Sequence, residues 1–157
     1  MAAAAPTAAV GDTRELQVVS DVTRTRLVQY AGASGDFNPI HTDEVFATKA
    51  AGYPGVFAHG MLTMALTGRV LTDWFGHGKL LAFSARFRAQ VWPGDTLTAS
   101  ATVVAVSPGA EDGEEREEGE DQYAELELVT RNHHGVDVLT GTATARLART
   151  TETASHG

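Results

Sequence analysis

Tyr30-Ala31-Gly32-Ala33-Ser34-Gly35-Asp36-Phe37-Asn38-Pro39-Ile40-His41, with Ala58-His59-Gly60-Met61-Leu62-Thr63-Met64 downstream of it, decides how this chain is read. A helix is expected just before and into this stretch, from Thr23 to Ala33, because Leu27, Val28, Tyr30 and Ala31 fall at helical spacing. Asp21 or Thr23 would cap it. Gly32 and Gly35 would end it, since glycine tolerates the left-handed conformation of a C-cap. Pro39 biases Asn38 away from helical angles, so residues 36–41 are expected as an ordered, non-helical loop that presents polar groups. Thr42 would cap a second short helix with Asp43 and Glu44 in its first turn. From His59 to Phe75 the apolar residues Met61, Leu62, Met64, Ala65, Leu66, Val70, Leu71 and Trp74 occupy most sides, which predicts a buried helix. Its first N–H groups, near Gly60, point out of a positive helix end and suit a developing negative oxygen.

Beyond this stretch the pattern changes from helical to alternating. Leu16–Val19 is a weak strand signal. Leu81, Phe83, Ala85 and Phe87 alternate with Ala82, Ser84, Arg86 and Arg88, which predicts a half-buried strand with its apolar side on the core. Trp92-Pro93-Gly94-Asp95 reads as a turn. Strands are expected over Thr96–Val106, Tyr123–Thr130 and Val136–Leu147, the last two joined by Asn132-His133-His134-Gly135. Helices crowd the first half and antiparallel strands the second, so the fold class is α+β, one apolar helix covered by a sheet. No internal repeat is present.

The 157 residues suit one domain, read here as 10–149, with a disordered leader 1–9 and a disordered tail 150–157. The chain contains no cysteine, which excludes disulfides, thiol nucleophiles and thiolate metal sites and is compatible with a cytoplasmic location. No apolar run reaches the length of a membrane span. The net charge of -8 is concentrated between Glu111 and Asp121, where eight acids accompany one arginine. Segment 109–121 is therefore expected as a solvated acidic loop. The remainder is near neutral with no basic stripe, which argues against nucleic acid as a partner.

The string Ser34-Gly35-Asp36-Phe37-Asn38-Pro39-Ile40-His41, followed by Ala58-His59-Gly60-Met61, resembles the hydratase-2 motif of the MaoC-like family. That family contains R-specific enoyl-CoA hydratases and 3-hydroxyacyl-thioester dehydratases. The resemblance is greatest to the branch with the catalytic β subunit of mycobacterial 3-hydroxyacyl-carrier-protein dehydratase, and it covers roughly Val10 to Leu147. It implies a single hot-dog fold, in which the sheet wraps the long central helix. It also implies reversible hydration of trans-2-enoyl thioesters, or dehydration of (R)-3-hydroxyacyl thioesters, carried on coenzyme A or a carrier protein. By the same resemblance Asp36 and His41 are the catalytic pair, the Gly60 N–H is the oxyanion donor, and Asn38 orients the water and the loop. Neither metal nor redox cofactor is implied. The implied partner is a second hot-dog subunit, the same chain or a related one. Ala65 stands where some hydratases carry a serine that contacts the catalytic loop.

The chemistry itself asks for these groups. Loss of water from a 3-hydroxyacyl thioester needs a base for the α-proton, an acid for the leaving hydroxyl and donors for the thioester oxygen. Histidine shuttles protons near neutral pH. Plainer readings stand beside this one. Asp36 could brace a turn before Asn38-Pro39, and His41 could neighbour the short helix. A metal site of Asp36, His41 and His59 lacks compact ligand spacing. His59 reads as a structural helix-start residue, and His133 and His134 as solvated hairpin residues. Tyr30, Phe57 and Trp74 read as core. Arg86 and Arg88 read as an exposed sheet face, with a phosphate contact to coenzyme A or phosphopantetheine as the alternative. Rival functions are a dehydratase of a specialised polyketide-like acyl thioester, a non-catalytic hot-dog partner that shapes an acyl tunnel, and a thioesterase.

Overall fold

A computed structural model describes residues 8–108 and 122–147. Five strands, β1 (Thr13–Val19), β2 (Leu80–Phe87), β3 (Leu97–Pro108), β4 (Gln122–Asn132) and β5 (Asp137–Arg146), form one antiparallel sheet in the order β1-β3-β4-β5-β2. Two helices precede β2: α1 (Arg24–Ser34) and α2 (Gly60–Phe75). Alternation along the strands sets which face meets α2. Leu97, Ala99, Ala101 and Val103 of β3 are buried, as are Ala124, Leu126 and Leu128 of β4, while Glu125 and Glu127 face out. Leu62, Val70, Leu71 and Phe75 of α2 join them in one core. This sheet around one helix is the hot-dog fold that the resemblance implies. No helix among the described residues is long and apolar enough to cross a membrane.

Polar locks fix α2 on the sheet. Thr67 Oγ1 donates to Thr63 O at 2.9 Å and lies 2.7 Å from Thr130 Oγ1 of β4, with both threonines wholly buried. Each such bond contributes about 1 kcal/mol net, but leaving one partner unpaired in this setting costs more. Arg69 Nη1 donates to Val18 O of β1 at 2.6 Å. In β5, Gly141 lies where the β2 backbone passes closely. A Cβ there would stand 2.2 Å from Ser84 O, so only glycine allows the pairing of Ala85 with position 141.

Several expectations shift. Thr23 is the N-cap of α1, its side chain accepting from Arg26 N at 3.1 Å. The helix runs through Gly32 and ends only at Gly35, which takes φ 74° as C-cap. The expected non-helical loop 36–41 closes with a 3₁₀ turn, Pro39–His41, that Asn38 caps by accepting from Ile40 N. That turn draws in Thr42 and Asp43, whose N–H groups donate to Pro39 O. Asp43, not Thr42, therefore braces the next turn, accepting from Phe46 N at 3.0 Å ahead of a π turn, Phe46–Ala50.

The helix α2 is not buried all round. Its outward face exposes Ala65 and Met61, the latter 56% exposed, because the sheet of a single chain covers one side only. Likewise β2 is an edge strand whose apolar residues do not all reach the core. Phe83 packs there, but Leu81 and Phe87 are 49% and 47% exposed. Ala8 and Ala9, assigned to the leader, belong to the folded part. Ala8 packs on the core, and Ala9 N donates to Asp12 Oδ2 at 2.8 Å. The rest of the leader, the acidic segment 109–121 and the tail 150–157 lie outside the described residues.

Candidate active site

Two features of the backbone bring the singled-out residues together. The C-cap at Gly35 turns the chain out of α1, and residues 36–41 then run back beside the start of α2. Asp36 Oδ1 accepts from Asn38 N at 3.1 Å, an Asx turn, and Asn38 Oδ1 accepts from Ile40 N at 3.2 Å. The turn-bracing reading of Asp36 is thus realised at one oxygen without using up the carboxylate. Asn38 orders the loop as a cap. Asp36 is exposed, whereas His41 is 7% and His59 2% exposed.

Hydrogen bonds fix the tautomers. His41 Nδ1 lies 2.7 Å from Phe57 O, and a carbonyl only accepts, so Nδ1 carries the proton and Nε2 is the bare nitrogen of the neutral ring. His59 Nε2 lies 3.0 Å from Asp36 O and donates to it for the same reason. The two imidazoles stack with centroids 3.8 Å apart at 28°. Phe57 meets His41 edge-on at 5.2 Å, and Tyr30 meets His59 at 5.0 Å. Burial lowers the pKa of His41 below its ordinary value of 6.5; the Phe57 carbonyl raises it, His59 lowers it further and Asp36 raises it. The net shift is downward, which favours the neutral ring, the form in which Nε2 accepts a proton.

A carboxylate oxygen of Asp36 and a ring nitrogen of each histidine lie within 4.8 Å of one another. Folding therefore supplies the compactness that sequence spacing lacked, which corrects the ground on which a metal site was set aside. Stacking bears on the same question. Lone pairs in the planes of two nearly parallel rings run alongside each other rather than converge on one ion.

Gly60 opens α2, and the first intrahelical bonds run from Leu62 N and Thr63 N to His59 O, leaving the Gly60 N–H ahead of them. A cleft of about 290 Å³ meets it there, walled by Phe57, Gly60, Thr63, Phe87, Arg88 and Val91. A Cβ on Gly60 would lie 2.9 Å from the Phe87 ring, so the glycine also leaves room for an aromatic wall. Arg88 stands at this cleft with its Nε donating to Thr140 Oγ1 at 2.8 Å, while Arg86 lines an outer groove of the sheet. The sequence reading missed the contact of His59 with both Asp36 and His41. The adjacency of His59 to Gly60 was the only signal for it. His133 and His134 stay apart from this site, near Asp95.

Known proteins resemble this chain in sequence and fold. Residues 6–126 match the family described as MaoC like domain. The chain is 40% identical over 79 residues to 3-hydroxyacyl-thioester dehydratase Y of Mycobacterium tuberculosis, covering 48% of this chain and 27% of that relative's length. It is 30% identical over 142 residues to the mitochondrial 3-hydroxyacyl-[acyl-carrier-protein] dehydratase of Arabidopsis thaliana, covering 88% of this chain and 76% of that one. Among solved structures, the (R)-hydratase from A. caviae involved in PHA biosynthesis superposes with a TM-score of 0.70 at 28% identity, covering 88% of this chain and 96% of that one.

Proposed function

The chain belongs to the MaoC-like family, and we propose that it is a hydro-lyase acting reversibly between trans-2-enoyl and (R)-3-hydroxyacyl thioesters. The observation that carries the reading is the pairing of an exposed carboxylate with a buried, neutral histidine, drawn within 4.8 Å from one six-residue loop. In the hydration direction, water held at Asp36 and His41 bonds through its oxygen to C3 of the enoyl chain. His41 Nε2 takes the proton this oxygen releases, and C2 gains a proton from the same pair. Meanwhile negative charge develops on the thioester oxygen, and the Gly60 N–H at the positive end of α2 stabilises it. Asn38 holds the loop in register. Dehydration reverses each step. As proposed, the chemistry uses protein groups alone, and the acyl chain arrives on coenzyme A or phosphopantetheine.

The proposed partner is a second hot-dog subunit, the same chain or a related one. Support comes from the apolar edge of β2 and a groove of about 380 Å³ beside it, lined by Met61, Met64, Ala65, Gly68, Leu80 and Phe83. An unpaired apolar edge strand invites pairing. A cytoplasmic setting belongs to the same proposal and rests on the cysteine-free composition.

Absorbance at the enoyl-thioester band, followed with crotonyl-CoA, longer enoyl-CoAs and enoyl-carrier-protein substrates, tests the reaction. Loss of the band with formation of the R-hydroxy product is expected. A purified protein, light-scattering dimer included, that leaves all of them unchanged would sink the proposal.

A further inference from the structure

His59 does something that its place in the chain does not require. As N-cap of α2 its side chain would ordinarily accept from the first N–H groups of its own helix, yet it makes no such bond. Instead its Nε2–H reaches back 23 residues to the carbonyl of Asp36 at 3.0 Å. The cost is visible on the same ring, because Nδ1 is buried without a hydrogen-bond partner among the described residues. Such a group is unfavourable unless something else is gained.

What is gained lies in the loop. Residues 34–38 are all exposed. Their other hydrogen bonds, among the described residues, stay within 30–41: Ser34 Oγ to Tyr30 O, Asp36 N to Ser34 Oγ, Asn38 N to Asp36 Oδ1, Ile40 N to Asn38 Oδ1, and the backbone bonds of Gly35 and His41. These shape segment 34–38 and join it to the end of α1 but, among the described residues, to nothing beyond the loop. The bond from His59 ties this segment to the start of α2, while the far end of the loop is held separately by His41 Nδ1 at Phe57 O. The same ring stacks on His41 at 3.8 Å and is backed by Tyr30 at 5.0 Å. One rigid side chain thus touches the main chain of the acid and the face of the base.

We infer that His59 is a positioning residue for the reaction: its Nε2–H holds Asp36 by the carbonyl while its ring holds His41, so it sets the separation of the pair. This inference rests on the hydro-lyase reading above. It touches neither water nor substrate, and acts through its two neighbours.

The test combines kinetics with a measurement that needs no turnover. His59→Leu removes both tether and ring. It should lower kcat by about 10²-fold, the scale of a small misplacement of reacting groups, with KM nearly unchanged. His59→Gln, whose amide N–H reaches the position of Nε2, should restore most of that loss. In the wild type, ¹⁵N NMR of the labelled histidines should find His59 protonated on Nε2 and bare on Nδ1. A folded His59→Leu protein with wild-type kcat, a His59→Gln protein as slow as His59→Leu, or a proton on Nδ1 of His59 would each overturn the inference. Should His59→Leu fail to fold, the glutamine variant and the tautomer decide alone. A wild type inert on every enoyl thioester defeats the functional reading instead, a result that is distinguishable because the tautomer measurement stands apart from activity.

Discussion

Among the described residues stand two clusters of one aspartate and two histidines, and they are built the opposite way round. In the first, His41 and His59 are buried and Asp36 is exposed; in the second, Asp95 is buried and His133 and His134 are exposed. Composition therefore does not separate them. What separates them is which polar atoms remain after the backbone has taken its share. Asp95 accepts from Trp92 N through Oδ2 at 2.9 Å, and His133 Nδ1 accepts from Thr96 N at 3.3 Å. Asp95 thereby braces the turn 92–95 internally, and His133 spends the bare nitrogen of its ring on Thr96 N, joining that strand start to the β4–β5 hairpin. In the first cluster the backbone takes Nδ1 of His41 and leaves Nε2 bare, beside a carboxylate that water can reach.

The sharpest way to break this contrast is to remove the first pair. Asp36→Asn and His41→Ala should each lower hydration by roughly 10²–10⁴-fold, the usual size of a proton-transfer contribution. Near-wild-type turnover in either folded protein would leave the two clusters without a functional difference.

The helix start beside the first cluster offers the next test. Gly60→Ala keeps the N–H of residue 60 but drives a methyl into the Phe87 ring, 2.9 Å from its nearest atom. The atoms met are the far end of a half-exposed ring that can swing aside, so the strain should stay at about 1 kcal/mol, a rate loss of roughly 5-fold. Phe87 is half-exposed and can be trimmed, so adding Phe87→Ala should restore turnover. A double variant as slow as Gly60→Ala would mean that more than space is required of the glycine.

Burial of the histidine in the first cluster predicts a pH effect. His41 titrates below its ordinary 6.5, first because it is desolvated, with the Phe57 carbonyl opposing this, the neighbouring His59 adding to it and Asp36 opposing it. The acidic limb of kcat/KM should therefore lie below 6.5. The sign for stability follows: between the lowered value and 6.5 the unfolded chain binds more protons than the native one, so the contribution of this group is complete above 6.5 and is lost as pH falls through that window. A limb at or above 6.5 in a pH–rate profile would contradict the role of burial.

Much of this was legible in the chain. The periodicity of residues 60–75 and the alternation in β3, β4 and β5 gave the α+β layers, and Gly35, Asp36 and Pro39 marked a loop. Less visible was anything that depends on a second surface. Periodicity showed that α2 is apolar nearly all round but not that one face, with Met61 and Ala65, lies uncovered in a single chain. Nor did alternation along β2 reveal that it sits at the sheet edge, since strand order depends on pairing between distant segments. Within the site, the resemblance of the 34–41 motif pointed to Asp36 and His41, where residue types alone left a turn-bracing reading open. The bond from His59 to Asp36 O spans 23 residues to a main-chain carbonyl, and no residue type announces a carbonyl as a partner.

The smallest expected effect on catalysis comes from the second cluster, and it is the one that isolates the lesson of the first. His133→Ala and His134→Ala remove exposed side chains at a hairpin whose turn is made by Asn132, which accepts from His134 N and Val136 N. Those bonds use the backbone of 134, not its ring, so His134→Ala should stay within about 0.5 kcal/mol of wild type, while His133→Ala, which also gives up the acceptor for Thr96 N, should lose about 0.5–1.5 kcal/mol; both should retain turnover. Asp95→Ala differs. It leaves the Trp92 N–H without its acceptor in a part-buried turn, which should cost about 1–3 kcal/mol in denaturant unfolding, again with turnover kept in the folded fraction. Stability lost without activity would mark Asp95 as a turn-builder. A folded His133→Ala or His134→Ala protein that no longer hydrates enoyl thioesters would show instead that the exposed cluster takes part in the chemistry, and the argument from leftover polar atoms would fail.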